Sequence, residues 1–417
     1  MKWSGFGRAA IGLFSAMSLG LGMTACGGGT IAYIWTVGTQ HNQIVGYQVD
    51  DFTGNLTAVQ NSPFAANGTA PVYLLIKPGG RYLYVINQGA TSTATSNSSD
   101  SGIAVFSVGG SGALTFQTSY QSKGYLHQWA QFDGSGTYLY VLDKYSPSGD
   151  GNGAVTTFAA DPNTGRLALV PQTGQTPSGG TSPTFLEVGP NPLRMTSTGS
   201  CLFTLNAGST SIGPTITPFS ESSGQLNTVT TGVIQQTNYV HPTSINGNAS
   251  TVIVTDAGTT DSNGKYTSPG VIYPSTVSGN CGLTPFTGTG SVANDSSVSN
   301  PVNSFLDNSN KYLFILNDSV NTTNPSTPYS QITAYNIVSG QLTAISGQPF
   351  PAGSGPTCMV EDPTSKWIYT ANTNDGTITG YTFANTQGVL SPLPRGSNFT
   401  TGNTGLQCVA LSGSVSN

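Results

Sequence analysis

The chain has 417 residues, of which only 7% are charged, whereas an average soluble protein carries about 25%. So few charges, with apolar alternation persisting throughout, exclude a disordered polyelectrolyte. A formal net charge of −5 excludes the clustered basic surface that neutralising nucleic-acid phosphates requires.

Residues 1–25 read as a targeting segment. Lys2 and Arg8 give a positive start, Ala9 to Gly22 an apolar run short for a bilayer, and Met23-Thr24-Ala25 a small-residue cleavage site. Cys26 at its end resembles the bacterial lipobox, with Met23 where Leu is commoner, which implies cleavage before the cysteine and lipid on it. The segment from Cys26 to residue 30, with three consecutive glycines, reads as a flexible tether. No later apolar stretch could span a membrane, so membrane contact is expected through the anchor alone. Removing the leader leaves ten basic against seventeen acidic residues, a net charge of −7.

From residue 31 to 417 one strand pattern repeats. It runs IAYIWT from Ile31, YLYVIN from Tyr82, YLYVLD from Tyr138, CLFTLN from Cys201, TVIVTD from Thr251, YLFILN from Tyr312 and WIYTAN from Trp367. Each is followed by a Gly-x-Leu strand start at Leu56, Leu114, Leu167, Leu226, Leu283, Leu342 and Leu390, except that Cys281 replaces the fifth glycine. Repeats of this length built from four strands predict an all-β fold, a seven-bladed β-propeller. The first repeat lacks a first strand, and the tail GLQCVALSG from Gly405 supplies one, so the two ends should close one blade and leave no free edge. Pro274 predicts an outer or edge strand in the fifth repeat.

In an oxidising compartment Cys201, Cys281, Cys358 and Cys408 allow three pairings. Cys358 and Cys408 hold the same place in successive repeats and are expected to bridge, leaving Cys201 with Cys281; four free buried thiols are the alternative.

Long segments fall between second and third strands, so the long loops should share one face, the mouth. His41, His127 and His241 map there, with Lys144 and Arg194 on the same rim, a set suited to an anionic or carbonyl-bearing ligand. The plainer reading is a solvated polar rim. No spacing supports a metal, and no fingerprint implies a cofactor. The recurring Asn or Asp at second-strand ends reads as a turn cap, because it recurs in six repeats.

YVIN at Tyr84, with YVLD and YTAN, and the Pro-x-Gly-(Lys/Arg)-Tyr-Leu-Tyr-Val pattern resemble the seven-bladed lactonase family, which includes bacterial 6-phosphogluconolactonase. The resemblance implies a mouth histidine at His127, as catalytic acid or base, and an arginine close to Arg194, where Leu193 holds the family position. Ala207 and Ala257 stand where the family has Glu and Arg. With these roles empty, the leading expectation is an exported, lipid-anchored monomer that binds a small carbohydrate or lactone ligand or a protein partner. A lactonase using His127, and a surface adhesion or scaffold protein, are the alternatives.

Overall fold

The repeated apolar strands lie second from the centre of each blade, and in five blades they end in Asn or Asp. Those at Tyr82–Asn87, Cys201–Asn206, Thr251–Asp256, Tyr312–Asn317 and Trp367–Asn372 are buried along their whole length. Both faces of such a strand pack against neighbouring blades, so it reads as a nearly continuous apolar run.

The structure, a computed structural model, describes residues 29–38, 41–173, 183–229, 234–235, 238–248, 250–263, 266, 268–286, 290–318, 330–338, 341–403 and 405–413. The targeting segment with Cys26 and most of the tether lie outside them; Thr30 already belongs to the first strand. Seven antiparallel sheets form the blades. Blade 1 orders Leu56–Ala58, Gln43–Asp50, Thr30–Gly38 and Leu406–Gly413 from rim to channel. The last of these pairs with the chain's first strand, Trp35 opposite Ala410, which closes the ring as expected.

Blades 2 to 7 each begin on an inner strand and run outward in chain order. Six of the seven sheets add a short further strand beside the third one, such as Phe64–Ala65 or Asn398–Thr400. Pro274 lies in the third strand of blade 5, Val271–Val277, rather than on the outer one. The fourth strand pairs only with Ser275 onward, so the missing N–H at Pro274 breaks no ladder bond on that side.

The two repeat markers touch across blade boundaries. The glycine of Gly-x-Leu turns the third–fourth hairpin with positive φ and lies against the aromatic that opens the preceding blade's second strand. Gly165 has φ 66°, and a Cβ there would fall 2.4 Å from the Tyr82 ring. The same contact joins Gly112 to Tyr33, Gly224 to Tyr138, Gly388 to Tyr312 and Gly54 to Trp367. Between blades 4 and 5 the disulfide Cys201–Cys281 takes its place. Cys358 is also disulfide-bonded; the side chain of Cys408, its expected partner, lies outside the described residues.

Asp256 caps its turn as expected, accepting from Gly258 N–H at 2.7 Å, whereas at Asn206 and Asn372 the side chain is a cross-strand tie. Asn206 Nδ2 donates to Thr215 Oγ1 and Thr217 Oγ1 at 3.1 Å, and Asn372 Nδ2 to Thr377 and Thr379 Oγ1 at 3.0 and 2.8 Å.

Candidate functional site

The inner strands of blades 2 to 7 share one register. Their opening residue faces the last residue of the second strand, giving Pro71 opposite Asn87, Pro192 opposite Asn206, Pro242 opposite Asp256, Pro301 opposite Asn317 and Pro356 opposite Asn372. In blade 3, where both strands run two residues further to Tyr125 and Tyr145, the equivalent pair is His127 and Asp143. His127 therefore takes the place of a proline, at the mouth end of its strand but beneath the rim, and is fully buried.

His127 Nδ1 lies 2.6 Å from Asp143 Oδ1. The Ser122 hydroxyl is 2.8 Å from the same nitrogen and donates toward both Asp143 oxygens, at 2.6 and 2.7 Å. Gly124 N–H also donates to Asp143, at 3.0 Å. On the other side of the ring, Nε2 is 3.1 Å from Gln121 Oε1, and Gln121 donates its own N–H to the Ser101 carbonyl at 2.7 Å, which turns its oxygen toward the histidine. Ser, His and Asp thus meet, but the serine and the carboxylate share one nitrogen. A serine nucleophile needs them on opposite nitrogens, with an open path to substrate.

The long loop of blade 2 seals the cluster. Asn97 donates to the Gly124 carbonyl at 2.8 Å and accepts from Leu126 N–H at 3.2 Å, beside Leu126 in the left-handed region at φ 55°. With both ring nitrogens engaged, His127 has none left within reach of a ligand proton.

The other rim residues are dispersed. His41 is exposed in the turn before Gln43–Asp50. His241 is exposed, donates Nδ1–H to the Gly258 carbonyl at 2.5 Å and stands edge-on to Tyr266. Lys144 is half-buried with its ammonium 5.7 Å from the centre of the Tyr145 ring. Among the described residues, no hydrogen bond, ion pair or ring contact joins these three to one another or to Arg194.

Arg194 lies elsewhere, two places after Pro192, just past a bulge that contains Leu193. The same position is Tyr73 in blade 2, Trp129 in blade 3, Ser244 in blade 5, Asn303 in blade 6 and Cys358 in blade 7. These residues form one layer on the innermost strands. The Tyr73 and Trp129 rings stack at 3.7 Å with 24° between their planes, and the Arg194 guanidinium carbon lies 4.6 Å from the centre of the Trp129 ring. All three side chains are half-buried. Desolvation lowers the Arg194 pKa to about 10, opposed by Tyr73, and raises that of Tyr73 to about 12, opposed by Arg194.

Arg194 was a candidate from sequence; Tyr73 and Trp129 were missed. The available signal was the strand-opening proline: counting two residues past it, or past His127, brings Tyr73, Trp129 and Arg194 into register. No group of three or more His, Cys, Asp or Glu suited to a metal ion occurs among the described residues.

A family model described as lactonase, 7-bladed beta-propeller, matches residues 29–182. No curated protein matches the sequence. Among solved structures, the chain is similar to the periplasmic gluconolactonase PpgL of Pseudomonas aeruginosa, at TM-score 0.65 and 14% identity, over 92% of this chain and 100% of that one. A Lactobacillus plantarum protein gives TM-score 0.65 and 17% identity over 92% and 100%. A Bacteroides fragilis protein proposed to be a 6-phosphogluconolactonase gives 0.65 and 14% over 92% and 98%. The lactonase-like resemblance and the seven-bladed propeller fold both stand; identities this low speak for the fold alone.

Proposed function

We propose that the chain is an exported, lipid-anchored, lactonase-like propeller that acts as a binding module and does not open lactones. The observation that carries this reading is the sealed state of His127. The residue best matched to the family's acid or base is fully buried, with Asp143 and Ser122 on one nitrogen and Gln121 on the other. Lactone opening requires a proton carrier within hydrogen-bond reach of the ring oxygen and a cation for the developing oxyanion. Ala207 and Ala257, in place of the family's Glu and Arg, remove two further groups. The Cys201–Cys281 disulfide supports export, since such bonds persist in oxidising compartments.

The rival reading, a lactonase for a sugar or aldonic lactone, draws on the likeness to the gluconolactonase of Pseudomonas aeruginosa. Hydrolysis of glucono-δ-lactone by the purified exported chain, followed by acid release at constant pH, separates the two. The expected result is the spontaneous rate. Saturable acceleration that disappears in Arg194→Gln or His127→Gln overturns the binding reading.

A further inference from the structure

We propose that the channel layer of blades 2 to 4 is a binding site for a small carboxylate, held by Arg194 and Trp129 beside the Tyr73 ring; this rests on the binding reading above and names its ligand. Two buried donors in the layer have no hydrogen-bond partner, Arg194 Nη1 and Trp129 Nε1. Guanidinium and indole nitrogens donate and never accept. A buried donor without an acceptor carries its full desolvation penalty, and more when it is charged.

The charge is uncompensated as well. His127 pairs with Asp143, and among the described residues no carboxylate lies at ion-pairing distance from Arg194. Two orphan donors and one positive charge call for two acceptor oxygens and one negative charge, which is the carboxylate complement. A phosphate monoester would bring a second negative charge into a site with one cation.

The three side chains are half-buried, so part of each stays exposed beside the enclosed donors. The stacked Tyr73 and Trp129 rings offer a flat apolar wall for the remainder of such a ligand. Elsewhere in the layer the polar groups are committed. Ser244 Oγ is 2.6 Å from Thr255 Oγ1, and Asn303 Nδ2 donates to the Thr357 carbonyl at 2.8 Å. Among the described residues of the layer, the donors without a partner are those of Trp129 and Arg194.

The test follows tryptophan emission and melting temperature of the exported chain against sodium benzoate, sodium gluconate, benzamide and inorganic phosphate. At least one carboxylate should raise the melting temperature and change the emission saturably, while benzamide and phosphate do neither. Arg194→Met should weaken binding roughly 10- to 100-fold. Trp129→Phe, which keeps the stack and loses the N–H, should weaken it roughly 3- to 10-fold. Without ligand, Arg194→Met should melt above the wild type, because the unpaired charge is gone; this also reports that the variant folds. Phosphate matching the carboxylates, equal binding by Arg194→Met, or no response to either carboxylate at tens of millimolar overturns the site. Lactone hydrolysis is a separate readout: Arg194-dependent turnover overturns the non-catalytic reading alone, and a missing carboxylate response overturns the site alone.

Discussion

Cys201 and Cys281 are bonded across the boundary between blades 4 and 5 at the two positions where five other boundaries set an aromatic ring against a glycine. The bond closes a loop with a sequence separation of 80. Crosslinks of this kind stabilise by about 2–4 kcal/mol, chiefly by limiting the unfolded chain. Cys201→Ala with Cys281→Ala should lose about that much in denaturant titration. Cys201→Tyr with Cys281→Gly should recover part of it, because Cys281 holds φ 59°, a conformation glycine adopts freely.

The aromatic–glycine contact itself is testable in blade 3. Gly165→Ala combines an unfavourable φ with a Cβ inside the Tyr82 ring, and should cost about 1–3 kcal/mol. Gly134→Ala, where a Cβ meets nothing within 4 Å, should change stability by less than about 0.5 kcal/mol. Equal effects would remove the contact as a determinant of blade packing.

The cluster around His127 should behave as structure. His127→Ala leaves the Asp143 carboxylate buried without its ring partner and should cost about 3–5 kcal/mol in chemical denaturation. His127→Ala with Asp143→Asn should be less damaging than His127→Ala alone, since no buried charge remains. Additive losses from the two changes would show that the pair is uncoupled.

Glu361 gives a pH-dependent prediction. It is 7% exposed, accepts from Asn308 N–H at 2.7 Å through Oε2, and has Oε1 without a partner. Burial raises its pKa above the ordinary glutamate value, with the hydrogen bonds opposing. A carboxyl whose folded pKa is raised favours the protonated folded state, so its ionisation costs stability as pH rises through the folded value. Glu361→Gln should therefore raise the melting temperature at pH 7 by about 1–3 °C, with the gain gone below about pH 4, where the wild-type carboxyl is neutral in both states. A gain that persists at pH 3.5 would trace to packing instead.

Much of the architecture is legible from residues because each blade must solve the same packing problem. Tyr82, Tyr138 and Tyr312 recur opposite Gly165, Gly224 and Gly388, and such pairs mark five of the seven blade boundaries. The channel layer escapes that logic. Tyr73, Trp129, Arg194, Ser244, Asn303 and Cys358 share a register but no chemistry, and a search for repetition passes over what varies. His127 misleads for a related reason: its strand position points to the mouth, while its side chain fills a proline's place beneath the loop carrying Asn97. The two- and three-residue strands that add to five of the sheets are too short to show any periodicity.

The pairing of Leu406–Gly413 with Thr30–Gly38 makes a segment that follows all seven repeats the innermost member of the first blade. Until that segment is in place, the first blade presents a bare inner sheet edge however well the other blades have formed. Closure of the ring is therefore a single event that waits on this segment, and until it happens that edge is open to pairing with another chain.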